Sequence, residues 1–278
     1  MKTTLFLLVI SISLTSCGTI GKISGNKQKK NFHIYLLLGQ SNMAGRGEIE
    51  SIDTIIHPRV IVLEDTAWKP AKSPLHNDKP KVAGTGMGFA FGKKIADNNE
   101  DVIIGLIPCA QGATSIDHWM KGKYHSRTDS YPYDEMLDKA KKAMLDGTIK
   151  GILWHQGESD CKFEKDVYTY ENKFYKLIDS LEKDLMLSSI PIVIGELGYF
   201  LYNERPLAIE FNIILKDIAF WNRCIGLVKA NDLNHKGDNV HFNSASYRIL
   251  GEKYAKKMIE LQFRCKKVKK RNKFFFQK

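Results

Sequence analysis

The chain has 278 residues, 43% of them apolar, enough to bury a sizeable core without a metal or a disulfide. Its formal charge of +11 would suit a nucleic-acid binder if it were spread over the fold. Instead Lys2, four lysines in 18–30 and eight Lys or Arg in 264–278 leave 29 basic against 31 acidic residues between them, which excludes a domain-wide basic field for phosphates.

The N-terminal run MKTTLFLLVISISLTSC joins a lysine to an apolar stretch too short to span a bilayer, and reads as a signal peptide over 1–17. Leu14-Thr15-Ser16-Cys17 resembles a bacterial lipobox, which implies cleavage before Cys17 and lipid on its thiol. The mature protein is then expected at a membrane of the cell envelope, held by its N-terminal lipid. Residues 18–31, small, polar and basic, suit a tether, and Gly18 rather than Asp after the cysteine suits an outer-membrane address. In that oxidising compartment Cys109, Cys161, Cys224 and Cys265 admit three full pairings.

Apolar runs rich in Ile and Val recur at 33–39, 59–64, 101–109, 151–156, 190–197 and 224–230, the pattern of strands buried on both faces of a parallel sheet. Between them lie stretches with helical spacing: Met87 to Asn98, Tyr133 to Leu145, Asp166 to Leu187, Ala208 to Trp221 and Ala245 to Phe263. In the fourth of these, Ile209, Ile213, Ile214 and Ile218 form one stripe. The alternation predicts a single α/β domain over 32–263, a three-layer α/β/α sandwich around a mostly parallel sheet, flavodoxin-like in plan. Long loops at 64–86 and 112–132 are expected at the ligand-binding end. The basic tail 264–278 reads as a solvated end, with contact to anionic lipid as the alternative.

Four stretches carry chemistry. GQSNMAGRG (39–47) ends the first strand with Ser41, where a following turn aims backbone N–H groups at any oxyanion formed there. Met43 departs from the G-x-S-x-G elbow. DNVHF (238–242) sets Asp238 three residues before His241, close enough for the carboxylate to accept from Nδ1–H while Nε2 faces outward. WHQGESD (154–160) brings Trp154, His155, Gln156, Glu158 and Asp160 to a strand end, and CAQGATSIDHW (109–119) brings Gly112. A serine, a base and an orienting acid are what activation of a hydroxyl needs. No H-x-x-x-H or C-x-x-C spacing occurs, so neither metal nor cofactor is expected. AGTGMG (83–88) lacks the GK[ST] of a phosphate loop.

In this order the four blocks resemble those of the SGNH hydrolases, and residues 32–262 are similar to the carbohydrate-esterase branch with its sialate O-acetylesterases and acetylxylan esterases. The resemblance implies a serine esterase that removes O-acetyl groups from carbohydrate. Ser41 would be the nucleophile and His241 the base, with Asp238, Glu158 or both orienting it. The N–H groups of Ser41 and Gly112 and the Gln156 amide would hold the oxyanion. Gln40, Asn42, His118, Trp119 and Trp154 would line the substrate site. Two alternatives stand beside this reading: a lipase or thioesterase of the same superfamily, and a lipoprotein that binds glycan without turning it over.

Overall fold

The computed structural model describes residue 29 and residues 31–275, with side chains to Cys265. The expectations for the signal peptide, for Cys17 and for the tether up to residue 28 fall outside the described residues.

Seven strands form one sheet in the order β3-β2-β4-β1-β5-β6-β7. They are β1 (Phe32–Gly39), β2 (Val60–Glu64), β3 (Ala67–Pro70), β4 (Ile103–Pro108), β5 (Thr148–His155), β6 (Ile192–Gly195) and β7 (Ile225–Val228). All pairings are parallel except β2 with β3. β1 lies at the centre because FHIYLLLG is apolar on both faces: Ile34, Leu36 and Leu38 point one way, Tyr35 and Leu37 the other, and all five are fully buried. The chain winds from β1 to one edge through β2 and to the other after β4, so the carboxyl ends around β1 open as a crevice.

The helices are α1 (Ser41–Ala44), α2 (Met87–Asp97), α3 (Pro132–Ala143), α4 (Glu164–Asp184), α5 (Leu207–Trp221) and α6 (Ser244–Phe275). The core on the Ile34 face holds Trp119, Tyr133, Trp154, Tyr170 and Phe174 under α3, α4 and α5. The opposite core joins Tyr35 and Leu37 to Phe91, Tyr247 and Met258 under α2 and α6. Those two helices touch at Gly251, where a Cβ would stand 2.3 Å from the Met87 carbonyl oxygen. The expected three-layer α/β/α sandwich is the observed one. Among the described residues no helix is long and apolar enough to cross a membrane.

Three features depart from the expectations. β3 was not expected: AWKP is short, mostly exposed and closed by a proline, an edge strand without the apolar run that marks a buried one. In α5 the buried stripe is Ala208, Phe211, Asn212, Leu215 and Ile218, while Ile209 and Ile213 face solvent, because the helix packs through Phe211 against Tyr170. And α6 continues past residue 263 without a break. Cys265 on it is bonded to Cys224, ahead of β7, with 5.6 Å between the Cα atoms. Of the possible cysteine pairings this one forms, and Cys109 and Cys161 stay as buried thiols pushed up to about 12 by desolvation.

The disulfide joins residues 41 apart at the amino end of β7, away from the carboxyl-end crevice. A loop of that size constrains the unfolded chain by about 4 kcal/mol in the chain-entropy picture, worth roughly 10 °C in a domain of this size. Cys224→Ser should therefore lower the melting midpoint by about that much in a calorimetric scan. Ester hydrolysis at 25 °C should be unchanged.

Candidate active site

Ser41 opens α1 directly after β1. The chain turns there because Gly39, at φ +135°, lies so close to β5 that a Cβ would stand 2.1 Å from the His155 carbonyl oxygen. The next residue, Gln40, donates its N–H to that carbonyl at 3.0 Å. No side chain fits this approach, so the glycine sets the exit of the strand and with it the direction of Ser41.

The Ser41 hydroxyl meets His241 Nε2 at 3.0 Å, 200 residues away in sequence. His241 Nδ1 meets Asp238 Oδ2 at 2.7 Å. The other carboxylate oxygen, Oδ1, accepts the N–H groups of Val240 at 3.0 Å and His241 at 2.8 Å, so the carboxylate also closes the turn that carries the imidazole. Asn239 takes φ +55° in that turn, and His235 Nδ1 accepts the Gly237 and Asn239 N–H groups. Burial acts to raise the Asp238 carboxyl, but the His241 N–H, its imidazole and the Val240 N–H outweigh it and bring the group down to about 2. Desolvation lowers His241 below its ordinary 6.5, against the pull of Asp238 in the other direction.

Asn42 was expected to touch substrate; it is fully buried and holds the site together instead. Its Nδ2 donates to the Val240 carbonyl at 2.9 Å and to Glu158 Oε1, and its Oδ1 accepts from Tyr247 O–H at 2.7 Å and Phe242 N–H at 3.3 Å. All four capacities of the amide are engaged by protein. Glu158, weighed as a second orienting acid, binds Asn42 and has no contact with His241, and burial raises its carboxyl. Asp238 alone reaches the imidazole from among the two candidates.

The structure also corrects the expected oxyanion partners. Gln156 is fully buried, and its Nε2 hydrogens are committed to Asp160, to the Thr114 carbonyl at 3.0 Å and to Gln40 Oε1 at 3.2 Å. The Gly112 N–H donates to Asp78 Oδ2 at 2.7 Å, and the same oxygen pairs with Arg46 Nη2 at 2.6 Å, both side chains buried. Gly112 is thus a donor to an anion, and that anion is a carboxylate of the protein. Arg46, a possible partner for Glu158 from the sequence, pairs instead with Asp78, which did not stand out there; their pairing across 32 residues is visible only in three dimensions. The Ser41 N–H, in the first turn of α1, belongs to the donors that a helix leaves without an internal partner.

Of the side chains expected to line the substrate site, Gln40 is buried and accepts the Gly157 and Ser159 N–H groups. Trp119 and Trp154 are core residues: their rings meet edge to face at 5.3 Å, and their indole N–H groups donate to Thr114 Oγ1 and Tyr170 O–H. A bulky ring with its one polar atom satisfied belongs in the interior rather than against a sugar. His118 remains partly exposed, its Nδ1 bound to Ser115 and its ring edge-on to His125. Among the described residues no group of three or more His, Cys, Asp or Glu is arranged to hold a metal ion.

The family described as carbohydrate esterase, sialic acid-specific acetylesterase, matches residues 31–260. The chain belongs to this family. A probable carbohydrate esterase of Arabidopsis thaliana is 32% identical over 241 residues, which cover 78% of this chain and 86% of that protein. The solved structure of an Arabidopsis thaliana protein superposes with a TM-score of 0.69 at 30% identity, covering 83% of this chain and 98% of that one. NanS shares the fold at 17% identity, with a TM-score of 0.65 over 84% of this chain and 98% of its own. The chain is therefore a carboxylic ester hydrolase of the carbohydrate-esterase type.

Asp160, which holds Gln156, is pushed by burial up to about 7 despite the bonds from Gln156 and the Ile116 N–H. An unfolded Asp ionises near 4, so between about pH 4 and 7 the unfolded chain binds fewer protons than the folded one. The contribution of Asp160 to stability should then fall as pH rises through that window, by up to about 1.4 kcal/mol per unit, and level off above it. Denaturation free energies measured across pH should show it as a wild-type minus Asp160→Asn difference that declines from about pH 4 to 7 and is flat above, the other shifted groups cancelling between the two proteins.

Proposed function

We propose that this carbohydrate esterase removes O-acetyl groups by a two-step serine mechanism on Ser41. The observation that carries the reading is the aligned relay from Ser41 Oγ to His241 Nε2, at 3.0 Å, and from His241 Nδ1 to Asp238, at 2.7 Å. Ser41 Oγ attacks the acetyl carbonyl while His241 Nε2 takes its proton. The same proton then goes to the departing sugar oxygen as the acetyl–serine ester forms. Water, deprotonated by His241, attacks that ester, and release of acetate returns the proton to Ser41. Asp238 keeps the imidazole in the tautomer with its lone pair on Nε2 and stabilises the imidazolium. The Ser41 N–H meets the oxyanion.

The same reading puts the protein in an oxidising compartment, as the Cys224–Cys265 disulfide supports, with Cys17 carrying lipid at the cell envelope. The acyl group is acetate, in keeping with the carbohydrate acetylesterase from Xanthomonas citri that shares the fold at 17% identity and a TM-score of 0.64.

With the full chain and p-nitrophenyl esters, turnover should fall from acetate to butyrate to octanoate, and Ser41→Ala should lower kcat by roughly a millionfold. A preference for octanoate, or an active Ser41→Ala, would overturn the mechanism. Asp238→Asn leaves the wrong tautomer and should reduce kcat on the order of ten-thousandfold. Glu158→Gln, which keeps an acceptor for Asn42, should stay within about tenfold of wild type. Since the neutral imidazole is the base and burial lowers His241, the acid limb of kcat/KM should lie below pH 6.5, with a flat rate through neutrality.

A further inference from the structure

The end of the sheet opposite the Ser41 crevice gathers the most exposed apolar side chains among the described residues. Three helix-to-strand turns lie there side by side, ahead of β5, β6 and β7, which are neighbours in the sheet. Leu145 in the first is 75% exposed, Met186 in the second 90%, and Phe220 and Trp221, which lead into the third, 75% and 76%. Single exposed apolar residues are ordinary on a surface, but four at one end mark a contact face.

Two further observations say what meets it. The chain enters the domain here: Asn31, ahead of β1, lines one cavity of about 740 Å³ together with Thr148, Leu187 and Cys265. The tether expected from the sequence, with Cys17 beyond it, leads into this end of the fold.

The second is charge. α6 starts just after the histidine loop and runs to Cys265, where the disulfide to Cys224 and the bonds from Arg264 to the Arg223 and Ile225 carbonyls tie it to the chain just beyond Trp221. Residues 266–275 carry the helix onward by about 15 Å and hold six Lys or Arg and no acid. Lys142, Lys183 and Arg223, in or beside the three turns, are exposed. The acids of the first two turns are engaged: Asp146 by the Trp68 N–H, Glu182 by the Ile190 N–H, Asp184 by Lys121 and Tyr133. Glu100 and Asp101 lie on the other side of β1, ahead of β4. A second copy of the chain would set its own basic helix end against this one, and like charges repel. An anionic lipid surface takes both features, basic groups at its headgroups and Trp, Phe, Met and Leu at the edge of its acyl chains.

We propose that this end of the domain docks on an anionic membrane surface, with Leu145, Met186, Phe220 and Trp221 entering the interface and the basic end of α6 lying at the headgroups. The crevice with Ser41 and His241 then opens away from the bilayer. Docking of this kind needs no spanning helix, and among the described residues there is none. It stands on the folded domain and is independent of lipid at Cys17 and of the serine mechanism.

The test is quenching of tryptophan fluorescence in the full chain by vesicles of phosphatidylcholine and phosphatidylglycerol with brominated acyl chains. The wild type should be quenched, and Trp221→Phe, which keeps the apolar contact and removes the exposed fluorophore, should lose most of the quenching. In Phe220→Ser and in Met186→Ser the lipid concentration for half quenching should rise about tenfold, with p-nitrophenyl acetate turnover at the wild-type rate. Quenching that survives Trp221→Phe would overturn docking. So would an unquenched wild type, and if that chain still sedimented with the vesicles it would be tethered only. Equal quenching by phosphatidylcholine alone would overturn the role of the basic helix end. A dimer in sedimentation velocity that Phe220→Ser dissociates, with no quenching by vesicles, would assign the face to a second copy instead.

Discussion

The side-chain amide of Asn42 joins the two halves of this site. Ser41 and His241 stand 200 residues apart, one on a turn after the first strand and one on a loop before the last helix, and neither loop alone determines their separation. Asn42 follows the serine and grips the histidine loop twice, at the Val240 carbonyl and the Phe242 N–H, with Tyr247 and Glu158 taking up its remaining capacity. A buried amide leaves water behind and must find every partner within the protein. That requirement allows few arrangements of the two loops, and the observed one sets Oγ and Nε2 at hydrogen-bonding distance.

Depth sets the direction in which each acidic group is shifted. Glu158 and Asp160 lie in the floor, where desolvation raises both carboxyls and their bonds to Asn42 and Gln156 serve to fix positions. His155, also in the floor, is pushed down to about 3 and bonds Tyr254 as a neutral ring. Asp238 sits at the rim with water on one side and two backbone N–H groups on the other, so it remains a carboxylate beside the imidazole. With Glu158 and Asp160 held by amides below and Asp238 at the rim, the imidazole has one carboxylate partner. The Asp78 side chain is buried too, and there Arg46 and the Gly112 N–H meet it.

Legibility in the sequence tracked the length and purity of apolar runs. FHIYLLLG and GILWH announce central parallel strands because burial on both faces admits little else. AWKP does not, because an edge strand draws its hydrogen bonds from one neighbour and leaves its side chains to solvent. The stripe in α5 was misplaced for a related reason. Isoleucines sit at helical spacing on both the packed and the open side, and only the contact of Phe211 with Tyr170 says which side faces the sheet. Trp119 and Trp154 lie in blocks that carry chemistry, so they read as pocket walls, yet the pleat of β5 at Trp154 and the short helical turn that ends at Trp119 direct both rings into the core.

Linear order by itself determined the class of fold, the positions of the strands that flank the crevice, and the serine and histidine that meet there, with Asp238 and Glu158 both offered as the acid. These are properties of short segments: periodicity, a glycine after a strand, an acid three residues before a base. What only the tertiary structure decided is which polar atoms are left over. Gln156 and Gly112 have the chemistry of oxyanion donors, but Asp160, Thr114 and Asp78 come to them from elsewhere in the chain. Glu158 has the chemistry of an orienting acid, but Asn42 takes it. A hydrogen-bonding group can serve only the partners within about 3 Å of it, and which partners those are depends on chain segments that sequence spacing does not bring together.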